Sequence, residues 1–181
     1  MGPKISRFLA LLATLVLLGT ACGSGGETDT ATKSDTETFT STEGRFSAEF
    51  PSEPEEQTQD TSEAGIDLTV HFFTSETDDY AVSVGYVDYP AEFSQVDPTL
   101  VLSGVAAGAA GNVEGGEVTR NDPSTFLDLP AIDYEVKATG AELQAKAFLK
   151  DTRLYILQAV SEKLPDADAE YDRMVESFKL L

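Results

Sequence analysis

The stretch PAIDYEVKATGAELQAKAFLKDTRLYILQAVS, residues 130–161, decides the fold because two turns fix which residues face one another across its strands. Turning at Thr139-Gly140 sets Lys137 opposite Glu142 and Asp133 opposite Lys146, two pairs of opposite charge. The same register puts Val136 by Leu143, Tyr134 by Ala145 and Ile132 by Ala147, so charge and apolarity agree on one alignment. A second turn at Asp151-Thr152 places Leu149 by Leu154 and Ala147 by Ile156 on that apolar face. On the opposite face it brings Phe148 beside Tyr155 and Lys146 beside Leu157. That second face is polar on the first strand and turns apolar on the last, so it needs a partial covering layer.

Working outward, Asp166, Asp168 and Glu170 lie in the first turns of a segment whose apolar residues Tyr171, Met174, Val175 and Phe178 recur at helical spacing. The acids favour a helix N-terminus through its dipole. This last helix is expected to cover Phe148, Tyr155 and Leu157. Upstream, Asp97-Pro98 supplies an N-cap with proline in the first turn, and Leu100, Val101, Val105 and Ala109 fall on one face of a helix ending near Gly111-Asn112. That helix is expected to cover the other face of the sheet. Three more stretches alternate with period two: Phe46, Ala48 and Phe50, ending at Pro51; Ile66, Leu68, Val70 and Phe72; and Tyr80, Val82, Val84 and Tyr86. Residues 115–120 read as a further strand. The fold class is therefore α+β, an α/β/α sandwich with a central antiparallel sheet.

The N-terminal region has a different character. A basic start (Lys4, Arg7) precedes an apolar stretch from Phe8 to Leu18 and then Gly19-Thr20-Ala21-Cys22, which holds the one cysteine of the chain. The eleven-residue apolar run is too short for the roughly 30 Å hydrocarbon core, which takes about 20 residues. This segment resembles the lipobox of bacterial lipoproteins, with Leu18 one place further out than usual. The resemblance implies cleavage after Ala21, joining of a diacylglycerol to the Cys22 thiol, and acylation of the new amino terminus, leaving residues 1–21 as signal peptide. Two or three acyl chains make stable anchoring, since each buried methylene adds about 0.8 kcal/mol. Residues 22–38 carry the lipidated cysteine and a stretch without large apolar residues, GSGGETDTATKSDTET, which reads as a flexible tether of roughly 20 Å reach. Residues 39–181 remain as the folded domain.

The chain has 12 Lys and Arg against 32 Asp and Glu, and removing the leader takes two cations and no acid, moving the formal charge from −20 to −22. Such a body is repelled by phosphate backbones, so nucleic acid is not expected as a partner. With its thiol acylated, the mature chain has no intramolecular disulfide and relies on its core.

Four stretches, STEGRFSAEFPSEPEEQT (41–58), LPAIDYEVKA (129–138), RLYILQAV (153–160) and ESFKLL (176–181), resemble in order the recurring segments of bacterial PsbP-like domains. The resemblance covers residues 39–181 and implies the α/β/α sandwich shared by the photosystem extrinsic protein PsbP and a range of bacterial lipoproteins of unknown function. Where many relatives carry Gly-Asn before the arginine strand, this chain has Asp151-Thr152. The shared positions are strand starts, turns and core residues, which specify fold rather than activity.

The chemistry of the remaining residues is sparse. His71 is the one histidine, which excludes a histidine metal cluster, and it is expected at the surface beside Asp67 and Thr69. Asp166-x-Asp168-x-Glu170 starts like a calcium loop, but Tyr171 stands where the tight turn needs glycine, so these read as helix-end acids. Asp78-Asp79 and Glu53 to Glu56 read as solvated turns with at most weak affinity for divalent cations. Gly115-Gly116 lacks the spacing of a phosphate loop. No catalytic residue, resident metal or cofactor is assigned. The expectation is a non-enzymatic module, lipid-anchored on the extracytoplasmic face of a cell membrane, that is accessory to an envelope partner, either protein or lipid-like. An alternative is a carrier of an apolar envelope ligand such as a glycolipid, using Phe148, Tyr155 and Leu157 as its surface, and an outsider is a serine hydrolase using His71.

Overall fold

Residues 37–63 and 66–181 are described by a computed structural model. The expected leader, the Ala21 cleavage point, Cys22 and the tether up to residue 36 lie outside the described residues. In chain order, β1 (Glu37–Ser41) and β2 (Phe46–Phe50) form a hairpin, and β3 (Glu55–Glu63), β4 (Ile66–Glu76) and β5 (Tyr80–Asp88) form a meander. Helix α1 (Pro98–Gly111) then crosses to the far side, and β6 (Glu117–Phe126), β7 (Leu129–Ala138), β8 (Ala141–Lys150) and β9 (Arg153–Ser161) come back strand by strand. Helix α2 (Asp168–Ser177) and β10 (Lys179–Leu180) complete the fold.

The large sheet has the order β3-β4-β5-β9-β8-β7-β6, and all its pairings are antiparallel. Its closure rests on β5 meeting β9, where Tyr80 faces Ser161 and Asp88 faces Arg153 across a long sequence interval. Both expected turns hold the expected register. Lys137 faces Glu142 with Nζ 3.1 Å from Oε1, Asp133 faces Lys146 as an ion pair, Phe148 faces Tyr155, and Lys146 faces Leu157. Gly140 takes φ +78 at the first turn, and Asp151 takes φ +57 at the second, so an aspartate adopts the left-handed backbone that the usual glycine would take.

One face of this sheet carries Ile132, Tyr134, Val136, Ala145, Ala147, Leu149 and Leu154, and α1 seals it with Leu102 and Ala106. The Asp97 carboxylate caps this helix, accepting from the Thr99 backbone N–H at 2.8 Å. The buried stripe is rotated from the expected one. Val101, Val105 and Ala109 pack partly against the core, but Leu100 is 69% exposed, because Leu102 and Ala106 are the residues aimed at the sheet. Gly116 permits the tight exit from α1, since a Cβ there would come within 2.1 Å of the Ala110 carbonyl oxygen.

The other face is closed by α2 as expected, and also by a second, three-stranded sheet of order β1-β2-β10. Phe46, Phe50, Phe148, Tyr155, Leu157, Met174 and Phe178 are all buried there. Each such side chain contributes about 1.5–3 kcal/mol by leaving water. Three elements differ from the sequence-based expectation. Strand β1 starts at Glu37, inside the stretch that reads as tether, and pairs Glu37 with Phe50 and Thr38 with Glu49. Strand β3 occupies EEQTQDTSE, whose start has the composition of a solvated turn; its pairing to β4 comes from backbone bonds and needs no apolar side chain. Strand β6 runs on to Phe126 through Asn121-Asp122-Pro123, which resembles a turn, whereas the actual reversal lies at Leu127-Asp128 with φ +51 and +63.

Candidate functional site

A polar cluster sits where the β1–β2 hairpin meets the ends of β5 and β9. The register places His71, Tyr86 and Tyr155 side by side on adjacent strands, with Asp88 and Arg153 paired one row further. Arg153 donates from Nε and Nη2 to the two oxygens of Asp88 at 2.6 and 2.5 Å, and from Nη1 to the Glu43 carbonyl at 2.7 Å. Tyr155 donates its hydroxyl to the Gly44 carbonyl at 2.9 Å. The hairpin turn is thus pinned by two strand residues more than a hundred positions away in sequence. Gly44 is required at this close approach, because a Cβ would lie 2.7 Å from the Phe46 ring and 2.9 Å from Ser41 Oγ.

Tyr86 is the centre of the cluster. Its ring stacks on His71 at 4.6 Å with planes 3° apart, and the Arg153 guanidinium lies 4.4 Å from its centroid. Its buried hydroxyl has no hydrogen-bond partner among the described residues. Burial pushes this phenol up to about 12, and the nearby Glu43 adds to the rise. Burial likewise raises Tyr155. The hydrogen bond from Arg153 holds the Asp88 carboxyl below the ordinary carboxylate value, and Asp88 in turn raises Arg153. Chemically, both phenols stay protonated near neutral pH and the guanidinium fork is already filled by a carboxylate. The arrangement is a clamp that fixes the hairpin to the sheet.

The remaining residues singled out in the sequence fall as follows. His71 shares the face of Thr69 and Asp67 as expected, but it is not a free surface histidine. Its side chain is 19% exposed, covered by the Tyr86 ring, with Nδ1 3.4 Å from Glu56 Oε1. Phe148, Tyr155 and Leu157 are 0%, 2% and 0% exposed. They are closed core beneath α2 and Phe178, not an open apolar surface, because the small sheet adds a layer that the helix alone would not supply. Asp166 lies in a 3-10 turn before α2, Asp168 accepts from Gln144 Nε2 at 2.8 Å, and Glu170 pairs with Arg173 at 2.6 Å. These acids behave as helix-start residues. Among the described residues no three metal-ligating side chains converge, and no helix is long and apolar enough to cross a membrane.

Sequence reasoning missed Tyr86, Asp88 and Arg153 as a unit. Their juxtaposition depends on the pairing of β5 with β9, although the stretches STEGRF and RLYILQAV are both conspicuous in the sequence. The structure brings those two together, and ESFKLL joins them: Phe178 stacks on Phe46 at 5.6 Å and the Leu181 N–H donates to the Arg45 carbonyl at 3.0 Å.

No protein-family model matches the chain. No curated protein matches it either. Among solved structures, cyanobacterial PsbP (CyanoP) from Synechocystis sp. PCC 6803 is similar with a TM-score of 0.54 at 13% identity, covering 86% of this chain and 98% of that one. Two others are more distant, each with a TM-score of 0.44: a protein of unknown function and putative regulator from Pseudomonas aeruginosa, and LpqN of Mycobacterium tuberculosis, described as involved in cell envelope biogenesis. The first is 9% identical and covers 64% of this chain and 91% of its own; the second is 10% identical and covers 70% and 84%. At these identities the likeness is one of architecture, and the architecture is plain: this chain has the PsbP-like α+β fold.

Proposed function

We propose that the protein is a lipid-anchored, extracytoplasmic binding module, non-enzymatic and accessory to a partner in the cell envelope. Acylated Cys22 holds it to the membrane and residues 22–36 let the domain stand off. The observation that carries this reading is the closure of both faces of the sheet. With Phe148, Tyr155 and Leu157 at most 2% exposed, the apolar interior is filled by the chain's own side chains, which favours recognition at the outer surface over enclosure of an apolar ligand. The junction residues hold the scaffold, so specificity belongs to the surface around it. The single histidine is engaged by Tyr86 and Glu56, which gives the hydrolase alternative no support.

Metabolic labelling with an alkyne fatty acid tests the anchor. The chain becomes labelled and partitions with membranes, and Cys22→Ala abolishes both; an unlabelled chain, or unchanged partitioning of Cys22→Ala, overturns the anchor. Crosslinking in the native cell followed by mass spectrometry tests the role. Reproducible capture of an envelope protein supports it, and capture of a lipid alone shifts the reading to a carrier.

A further inference from the structure

The large sheet has two edges, β3 and β6, and they are finished differently. On β6, Pro123 removes a backbone donor, and a register shift between Val118 and Arg120 breaks the ladder. These are two of the devices by which natural sheets prevent a further strand from pairing. Strand β3 has neither. Its nine residues, EEQTQDTSE, run in unbroken register against β4 from Glu55 facing Thr74 to Glu63 facing Ile66, without proline or glycine. Residues 55–61 are all exposed, and among the described residues β4 is the only strand that pairs with β3. Among the described residues a row of backbone donors and acceptors is therefore left open along its outer side.

The side chains say what this edge accepts. Glu55, Glu56 and Asp60 carry charge of one sign, and the strand sequence holds no cation. Pairing with a second copy about Gln59 would set position 55 against position 63, glutamate against glutamate, and like charges directly opposite are destabilising. The net charge of −20 on each chain opposes such a pair further. A basic strand meets the opposite condition. Glu56, Thr58 and Asp60 share one face of β3, so an added strand with cations at alternate positions lies beside both carboxylates. Toward the turn of the β3–β4 hairpin a shallow depression of about 550 Å³ is lined by Asp60, Thr61, Asp67, Leu68 and Thr69. Its two carboxylates suit the charged head of a lysine or arginine. The Asp60 carboxylate is oriented there by the Thr69 hydroxyl at 2.7 Å.

We propose that β3 is a docking edge that takes up an extended, lysine- or arginine-bearing segment of a protein partner as an eighth strand. This rests on the binding-module reading and assigns it a surface.

The test uses the full-length chain in detergent and three nine-residue peptides: alternating Lys–Val, the same Lys–Val peptide methylated at every backbone nitrogen so that it keeps its charge but has no ladder donor, and alternating Glu–Val. Binding is read by calorimetry and located by backbone amide exchange. The Lys–Val peptide is expected to bind at least about tenfold more tightly than its N-methylated form and to slow exchange along β3, with Glu–Val not binding. The double variant Glu56→Lys/Asp60→Lys is expected to reverse the preference toward Glu–Val. Equal binding of Lys–Val and its N-methylated form, protection elsewhere than β3, or absence of Lys–Val binding overturns the proposal, and exchange mapping on the unaltered chain makes that outcome independent of how the variant folds. In-cell crosslinking separates this proposal from the reading beneath it. An envelope protein captured equally by the native chain and the double variant removes the edge and leaves the module.

Discussion

The two faces of the large sheet are covered in different ways. On one, the single helix α1 packs small and aliphatic residues, Leu102 and Ala106, onto Ile132, Val136, Ala145 and Leu154. On the other, a helix and a second sheet drawn from both ends of the folded domain meet in a network of rings. Phe46 stacks on Phe178, Phe148 stacks on Tyr155 at 5.1 Å, and Phe39 approaches Phe46, Phe50 and Phe73 at 5.2 to 6.2 Å. The first face is closed by one element and one contact surface. The second is closed only when residues 37–50, β9 and residues 168–181 have assembled, so it couples the two termini of the domain to its centre. Loss of a ring there loosens three elements at once, whereas loss of a methyl group under α1 is felt locally.

This contrast is open to direct attack. Phe148→Ala removes a fully buried ring between Phe126, Tyr155 and Phe178 and is expected to cost about 3–5 kcal/mol, measured as the shift of the urea unfolding midpoint. That is a large fraction of the stability of an ordinary domain, and amide exchange is expected to rise in β1, β2 and α2 together. Leu102→Ala on the helical face is expected to cost about 2–4 kcal/mol, with faster exchange confined to α1 and the strands beneath it. Comparable exchange changes across the whole domain in both variants would erase the distinction between the faces.

Smaller effects probe the clamp. Tyr155→Phe removes the donor to the Gly44 carbonyl and leaves a buried acceptor unpaired, at an expected cost of about 1–3 kcal/mol in the same unfolding assay. Asp88→Asn addresses the pH dependence. The Asp88 carboxyl is held below its ordinary value of 3.8 by the Arg153 hydrogen bond, so its contribution is full above the unfolded value and is lost as pH falls through the lower folded one. The stability difference between the native chain and Asp88→Asn is therefore expected to be constant above about pH 5 and to shrink on acidification, measured by urea midpoints over that range. Tyr86→Phe is expected to change stability least, by less than about 0.5 kcal/mol or with a small gain, because the deleted hydroxyl is buried with no partner among the described residues. A loss well above that would reveal a bond to the Tyr86 hydroxyl.

Much of the fold was legible in local sequence, and the gaps have physical causes. The register of β7, β8 and β9 could be read because adjacent antiparallel strands joined by two-residue turns leave charge and apolarity to agree or disagree pair by pair. The extent of β6 could not, because Leu127-Asp128 reverses the chain in a left-handed backbone that a leucine seldom adopts, while Asp122-Pro123 resembles a turn and is strand. Strand β3 was invisible for a related reason. An edge strand with polar residues on both faces carries no period-two apolar signal, and its existence depends on β4 offering a ladder. The rotation of α1 escaped because a helix rich in alanine and glycine has apolar or neutral residues on every side, so the sheet alone selects Leu102 over Leu100.

The candidate site divides along the same line. Sequence by itself determined the α+β class, the register of β7, β8 and β9, the cap of α1, the acidic surface and the resemblance of four stretches to PsbP-like domains, all of which depend on residues near one another in the chain. Tertiary structure alone decided that three of those stretches converge on one junction, that Arg153 and Tyr155 hold the Glu43-Gly44 turn, and that Phe148, Tyr155 and Leu157 are sealed rather than exposed. The contacts of Arg153 and Tyr155 with that turn join positions more than a hundred residues apart. They arise from the pairing of β5 with β9 and from the docking of the small sheet, and packing between remote segments leaves no periodic signature in either of them.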